Sequence, residues 1–278
     1  MSDTVIAGLD LDAPDQARDA LALASWLAEQ WSAELLLVTV FAPRAGTIGT
    51  QLERRRRELA GLARRPVETM AIAGTAPARA LHELADQRRP LALVIGSSRG
   101  GADGVVSPGS VGELLLHGGG APVAAAPKGY TAPAGRPADI GVAYGVTPES
   151  DDAVRVAVDL AKHGGARLRV LHVREPSPHD EMPERRPGEH LDRALAGAQA
   201  DRVELDGDPA SALAAASAGL DLLVTGSRSY GPLGAVLLGA VTRRLVHAAE
   251  CPVMVVPRSR DAALAVALIG GMETAVDA

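Results

Sequence analysis

The sequence has few aromatic residues, one cysteine and no long apolar run, and each shortage excludes a class of protein. Aromatic residues make up 2% of the chain. Any core must therefore be packed from small aliphatic side chains, which suits helices on a parallel sheet better than a β-sandwich. The single cysteine, Cys251, cannot form an internal disulfide, which favours a reducing compartment. The late apolar run at 262–270 is about half of the ~20 residues that a membrane-spanning helix requires.

Positive charge is also in short supply. The net charge is −6, and Glu53 and Glu58 dilute the one basic cluster at 54–57. We therefore expect no nucleic-acid partner. The first residues have neither the basic flank nor the apolar length of a signal peptide. We expect a cytoplasmic protein with no membrane partner.

The chain repeats itself once, and a repeat is informative because it indicates the architecture before any motif is interpreted. The segment at 113–127 (ELLLHGGGAPVAAAP) matches the segment at 243–257 (RRLVHAAECPVMVVP). At the same offset, Gly96 falls on Gly226 and Ser97 falls on Ser227. Earlier segments match at slightly larger offsets, which indicates loop insertions between conserved elements.

Each half alternates short apolar segments with amphipathic ones, as strands and helices alternate in a doubly wound sheet. In the first half we expect strands at 4–10, 35–40, 68–73, 91–96 and 122–126. In the second half we expect them at 140–144, 168–173, 202–205, 222–226 and 252–256. Helices are expected between them, for example at 14–31 and 151–163. The sequence therefore predicts an α/β fold with two doubly wound, Rossmann-like parallel-sheet domains in tandem.

Proline and glycine indicate where the domains meet. The segment at 127–137 (PKGYTAPAGRP) is rich in both and is interpreted as a linker. We expect a first domain at 1–129, a second at 138–257 and a C-terminal tail at 258–278. Two stretches, at 43–50 and 175–188, are expected to be irregular.

A glycine-rich loop follows the fourth strand of each half. In the first half it runs from Gly96 to Gly109, and in the second from Gly226 to Gly239. Glycine permits close backbone approach, and free N–H groups at a helix start favour an anion. Such a loop is suited to holding a triphosphate.

This loop resembles the nucleotide motif of the universal stress protein family, which runs Gly, two residues, Gly, nine residues, Gly and then Ser or Thr. The resemblance covers nearly the whole chain, twice, and implies an adenine nucleotide α-hydrolase-like fold. In family members that bind ATP, an Asp after the first strand and backbone after the second hold the adenosine, while the loop holds the phosphates. The implied ATP-binding residues here are Asp10, Val40, Gly96, Ser97, Arg99, Gly100, Gly109, Ser110 and Val111.

Both halves depart from that motif. In the first, Arg99 stands where the middle glycine belongs and Gly100 comes one place late, although Arg99 could pair with phosphate. In the second, Tyr144 takes the position of Asp10, and Ser229 and Ala240 replace the middle glycine and the hydroxyl residue. The second half is therefore the weaker candidate. Its site residues would be Gly226, Ser227, Arg228, Gly239 and Thr242.

No catalytic or metal-binding arrangement is visible. His117 and His247 recur in the repeat, and we interpret both as capping or packing a helix end, because no nucleophile shares a local motif with them. The residues His179, Asp180, Glu181 and His190 match no compact metal site. We interpret Cys251 as structural.

The leading hypothesis is a regulatory, non-enzymatic tandem protein that binds ATP, with Mg, in its first half. In the family that it resembles, last strands pair modules into dimers, so the two halves could pair within one chain. A homodimer of whole chains stays open. The alternatives are a nucleotide-free interaction module and a slow ATPase, for which Asp103 is the only nearby carboxylate.

Overall fold

Strands and helices alternate along the chain, as the apolar pattern predicts. The computed structural model describes residues 3–44, 46–63, 67–117, 119–134, 138–174, 188–227 and 238–257. The strands are β1 (Thr4–Gly8), β2 (Glu34–Phe41), β3 (Glu68–Ala73), β4 (Ala92–Gly96), β5 (Val123–Ala126), β6 (Asp139–Ala143), β7 (Arg167–Arg174), β8 (Asp201–Asp206), β9 (Leu222–Gly226) and β10 (Val253–Val256). The helices are α1 (Pro14–Gln30), α2 (Ile48–Leu62), α3 (Pro77–Arg88), α4 (Gly109–Leu116), α5 (Pro148–Gly164), α6 (Gly188–Leu195), α7 (Pro209–Ser217) and α8 (Ala240–Leu245).

The described strands form one sheet in the order β3-β2-β1-β4-β5-β10-β9-β6-β7-β8. Within β1–β5 and within β6–β10 every pairing is parallel. The strand order of the second half mirrors that of the first, and each half reverses its winding direction beside its first strand. The predicted α/β class with doubly wound parallel halves is therefore confirmed.

The two halves meet where β5 and β10 pair antiparallel. Ala124 lies opposite Met254, and Ala125 lies opposite Val253. All residues of both strands are buried. Small side chains on one strand thus face larger ones on the other, and the sheet continues without a break from one half to the next.

Helices cover both faces of the sheet. One apolar cluster joins α1 and α5 to the sheet, and a second joins α3, α4, α7 and α8 to its other face. The long helices of the two halves also contact each other, since the Trp31 indole N–H donates to Asp159 at 3.0 Å. Burial on both faces explains why central strands such as β4, β5, β9 and β10 read as continuous apolar runs.

Three predicted boundaries were wrong by two residues or more. The helix expected at 151–163 begins at Pro148. The strand expected at 4–10 ends at Gly8, so Asp10 lies in the loop that follows. The segment expected to be irregular at 43–50 contains the start of α2 at Ile48. A tertiary contact stabilises that helix, because Arg55 on α2 donates to Asp12 in the loop after β1. The stretch at 175–187 and the tail at 258–278 lie outside the described residues.

Within the described part of the chain, no helix has both the length and the apolarity needed to cross a bilayer. The sequence expectation on this point rested on the late run at 262–270, which lies outside that part.

We expect Met254→Ala to lower the free energy of unfolding by about 2–5 kcal/mol, because it leaves a cavity in the centre of the sheet. Urea denaturation followed by circular dichroism measures this loss. The matched control is Leu114→Ala, since Leu114 is 60% exposed and its removal should change stability by no more than about 0.5 kcal/mol. Equal, small effects of both substitutions would contradict the central position of β10.

Candidate functional site

A cavity of about 300 Å³ opens at the carboxyl ends of β1, β2 and β4. This is the point where the winding of the first half reverses, and ligands of doubly wound sheets bind at such points. Its size falls at the lower end of small-molecule sites, which span about 300–1,000 Å³. The lining residues are Gly8, Leu9, Asp10, Gln16, Val38, Val40, Pro77, Leu81, Ile95, Ser98, Pro108, Gly109, Ser110, Val111 and Gly112. We call this cavity the first pocket.

Asp10 supplies the carboxylate of the first pocket. It follows β1 directly and is exposed. The backbone N–H of Asp12 donates to its Oδ1 at 2.9 Å, which holds the side chain in place. Among the described residues, Oδ2 has no recorded hydrogen bond. The carboxylate can therefore accept a hydrogen bond from a ligand hydroxyl or amino group.

The start of α4 forms the opposite side of the first pocket. Gly109 has φ +68°, and an added Cβ would lie 2.9 Å from the Cβ of Ser98. A side chain at this position would fill the space that the loop leaves open. No side chain caps α4, so its first N–H groups can donate to an anion.

Ser97 stabilises the glycine loop with two hydrogen bonds. Its hydroxyl donates to Ala126 O at 2.7 Å and accepts from the Ser107 N–H at 2.8 Å. Ser98 N–H closes the loop by donating to Ser107 O at 2.6 Å. Ser97 is buried and does not line the first pocket.

Gly96 permits the close approach of α1 to β4. An added Cβ would lie 2.2 Å from the carbonyl oxygen of Gln16, and the Gln16 amide donates to Gly96 O at 3.0 Å. Arg99 and Gly100 are exposed, and neither lines the first pocket. Arg99 donates instead to the backbone carbonyl of Asp12.

The far part of the loop connects the pocket to the second half. Asp103 pairs with Lys128 at 2.9 Å. Val106 is buried, and its N–H donates to Ala249 O at 3.1 Å. The loop is therefore anchored on both sides of the junction between the halves.

A cavity of about 250 Å³ occupies the equivalent position in the second half. It is lined by Gly226, Gly239 and Thr242, among others. The sequence expectation that Tyr144 takes the position of Asp10 is wrong, because Tyr144 N–H donates to Leu171 O as Leu9 N–H donates to Val38 O. Gly145 therefore stands where the first half has Asp10. The Tyr144 hydroxyl donates to Asp151 at 3.0 Å. Burial, helped by this hydrogen bond, raises the pKa of the Tyr144 hydroxyl. A glycine thus replaces the carboxylate, and the hydroxyl of the neighbouring Tyr144 is a neutral group whose donor is already used.

The other groups of the second pocket are also engaged or absent. The Thr242 hydroxyl donates to Gly226 O at 3.0 Å. Ala240 offers no hydroxyl, and α8 spans only Ala240–Leu245. Ser227 is buried. Arg228 lies outside the described residues.

The recurring histidines have structural partners. His117 Nδ1 lies 2.6 Å from Glu113 O, at the end of α4. His247 Nε2 lies 2.6 Å from the Glu113 carboxylate, which places an ion pair between the halves when the histidine is protonated. Sequence analysis did not predict this contact, because a contact between the two halves cannot be read from either half alone.

Two further sequence interpretations concern a thiol and a metal. Burial raises the pKa of the Cys251 thiol to about 12, which agrees with a structural, unreactive cysteine. Within the ranges that the structure describes, no three His, Cys, Asp or Glu side chains lie close enough together to hold a metal ion. The residues His179, Asp180 and Glu181 lie outside those ranges.

The structure brings Asp10, Val40, Gly109, Ser110 and Val111 to one cavity, and it places Gly96, Ser97, Arg99 and Gly100 around it. Sequence analysis missed the lining residues Gln16, Ser98, Pro77 and Leu81. Gln16 follows a proline at the start of a helix that comes directly after β1, and this local signal could have identified it. Ser98 lies within the glycine loop itself, and Pro77 and Leu81 are placed by tertiary packing.

Known proteins resemble this chain in both sequence and fold. A universal stress protein of Thermus aquaticus is 35% identical over 131 residues, which are 41% of this chain and 95% of that protein. This chain belongs to the universal stress protein family. A model of the universal stress protein family matches residues 138–257. A universal stress protein of Mycobacterium tuberculosis is 32% identical over 182 residues, which are 60% of this chain and 62% of that protein, somewhat less than two thirds of its length.

A solved universal stress protein structure supports the fold. The crystal structure of one from Archaeoglobus fulgidus aligns with a TM-score of 0.62 and 17% identity, covering 93% of this chain and all of that one. Both described halves of this chain are therefore covered by the fold of one known universal stress protein structure.

The two neighbouring glycines of the motif provide a matched test of what each does. We expect Gly96→Ala to lower the free energy of unfolding by about 1–3 kcal/mol, because the added methyl group must displace the Gln16 backbone. Gly100→Ala should have an effect within about 0.5 kcal/mol, since no atom lies within 4 Å of its added Cβ. Urea titrations of both variants measure the difference. Similar values for the two would contradict a packing role for Gly96.

Proposed function

We propose that this chain is a regulatory universal stress protein that binds an adenine nucleotide in its first pocket. The observation that carries the proposal is the convergence of Asp10, Val40 and the start of α4 on one cavity at the reversal of the sheet. These are the residues at which the family motif expects adenosine and phosphates. The volume and the glycine-lined wall fit a nucleotide.

The adenosine would be held at the ends of β1 and β2. The Asp10 carboxylate, positioned by the Asp12 N–H, suits a hydroxyl donor such as a ribose. Val40 offers backbone groups at the end of β2. Val38, Leu81 and Ile95 supply apolar surface for a base, as small-molecule sites combine apolar walls with a few placed polar groups.

The phosphates would lie at the start of α4. Uncapped N–H groups and the positive end of the helix dipole stabilise anionic oxygens there. The Ser98 and Ser110 hydroxyls line the same wall. Mg would accompany the nucleotide as a ligand of its phosphates, because Mg²⁺ is commonly bound through substrate phosphates and water.

Regulation is a better account than turnover. The slow-ATPase alternative needs a carboxylate near the phosphates, and the residue that the sequence offers for this, Asp103, does not line the first pocket and is paired with Lys128 at 2.9 Å. We therefore propose that the bound nucleotide acts as a regulatory signal and not as a substrate. We also propose a cytoplasmic location, supported by the single buried thiol.

The second half favours the other alternative, a nucleotide-free interaction module. Its pocket has Gly145 in the place of Asp10 and so lacks the carboxylate, and the Thr242 hydroxyl is already bonded to Gly226 O. We propose that the second half acts mainly as the partner of the first. The β5–β10 pairing would then make one chain equivalent to a dimer of single modules.

Calorimetric titration of ATP with Mg into the purified chain tests this proposal. We expect one site per chain, weakened about tenfold or more in Asp10→Ala because a hydrogen bond to a charged group is lost. Asp15→Ala is the matched control, since Asp15 is an exposed carboxylate on α1 that does not line the pocket. Absence of heat and of a thermal shift for the wild type would refute nucleotide binding and leave the interaction module.

Gly109→Val tests the phosphate end separately. We expect it to abolish binding, because the side chain would occupy the wall of the pocket. Gly104→Val is the matched control: both glycines have positive φ, +68° and +77°, but an added Cβ at Gly104 meets no atom within 4 Å. The same calorimetry should therefore show near-normal binding for Gly104→Val. Equal loss in both variants would mean that backbone strain, not occupation of the pocket, is responsible.

A further inference from the structure

An arginine-lined cavity lies beside the first pocket, and the nucleotide proposal makes no use of it. It measures about 420 Å³, and its lining includes Asp12, Phe41, Arg44, Gln51, Arg54 and Arg55. We call it the arginine cavity. Asp10 and Val40 line the first pocket, while Asp12 and Phe41 line the arginine cavity. The two spaces therefore lie beside the carboxyl ends of the same two strands, β1 and β2.

Arg55 is the fixed element of the arginine cavity. Its side chain is 12% exposed, and its Nη2 donates to both oxygens of Asp12 at 2.8 and 3.0 Å. The guanidinium also lies over the ring of Phe41, 5.8 Å from the centroid. The Nε–H is buried and has no hydrogen-bond partner among the described residues. A rigid, incompletely bonded guanidinium is suited to an oxyanion.

The remaining charges leave the arginine cavity positive. Asp12 is bound by Arg55, and Glu58 is shared between Arg54 at 3.4 Å and Arg55 at 3.1 Å. Arg44 makes no ion pair within the described part of the chain, and its side chain is exposed. Three guanidinium groups thus face two carboxylates, both already engaged.

The start of α2 adds to this field. The helix begins at Ile48, and no side-chain hydrogen bond caps it at Thr47. Thr47 and Gln51 line the cavity, next to Arg44. The positive end of a helix dipole therefore points to the same space as the arginine side chains.

We propose that the arginine cavity is a second binding site, for a phosphate-bearing anion. Guanidinium groups recognise phosphate with paired, charge-assisted hydrogen bonds, and Arg44, Arg54 and Arg55 surround one space. The site does not depend on nucleotide binding in the first pocket, because no group of the first pocket takes part. The phosphate belongs either to a free anion or to a molecule that reaches over from the first pocket.

Inorganic pyrophosphate is the probe, titrated calorimetrically at low salt into the full chain. We expect wild-type binding, weakened about tenfold or more by Arg44→Ala with Arg54→Ala, since each charge-assisted bond is worth about a tenfold change in affinity. Both side chains are exposed, so the fold should survive, and circular dichroism checks this. The matched control is Arg56→Ala with Arg57→Ala, which removes equal charge from α2 without touching the cavity lining.

Three results would overturn the proposal. No heat with the wild type would exclude the site. Equal weakening by both double variants would show only a general charge effect. Loss of pyrophosphate binding in Gly109→Val, with no loss in the Arg44 and Arg54 variant, would place the anion in the first pocket instead.

A final arm of the experiment identifies the molecule to which the bound phosphate belongs. The pyrophosphate titration is repeated with ATP present at saturation. Competition would show that the phosphates of the nucleotide reach the arginine cavity, and unchanged affinity would show a separate anion. This arm is independent of the site itself, because a chain that failed to bind ATP would still bind pyrophosphate at the arginine cavity.

Discussion

The antiparallel pairing of β5 with β10 is the contact on which the rest of the molecule depends. In a single half, the last strand would leave a row of backbone N–H and C=O groups at an open edge. Here each such edge is satisfied by the other half, with alanines on β5 facing Met254 and Val253 on β10. The pairing also brings the glycine loop of the first half against Ala249 in the second. The β5–β10 pairing therefore stabilises both the fold and the candidate site.

Much of the fold could be predicted from local sequence. The strand β9 has the bounds that its apolar run predicts, because strands buried on both faces are apolar almost throughout. The bounds of β3 were also predicted, although it is an edge strand with one buried residue. The start of α2 was missed, since its sequence is rich in arginine and its one buried residue is Leu59. Long-range contacts, such as that of Arg55 with Asp12, determine where such a helix forms. No local pattern encodes them.

The candidate site was predictable in its outline and not in its details. Gly109 could be identified because a glycine before a helix is a local signal, and Asp10 because it matches the Asp that the family motif has after the first strand. Their neighbours Pro77 and Leu81 come from α3 and reach the cavity only through packing. The motif also misled in one respect: Gly96 lies against Gln16 and has a packing role. The spacing of glycines in a motif does not show whether a given glycine leaves room for a ligand or for a neighbouring helix.

Pairing at the centre leaves β3 and β8 as the outer edges of the sheet. Four of the six residues of β8 are charged and exposed, Asp201, Arg202, Glu204 and Asp206. On β3, Glu68 pairs with Arg88 at 2.9 Å. Charged side chains at an edge oppose the addition of another strand. Growth of this sheet into a filament is therefore disfavoured at both ends, and two whole chains that associate would meet through their helices.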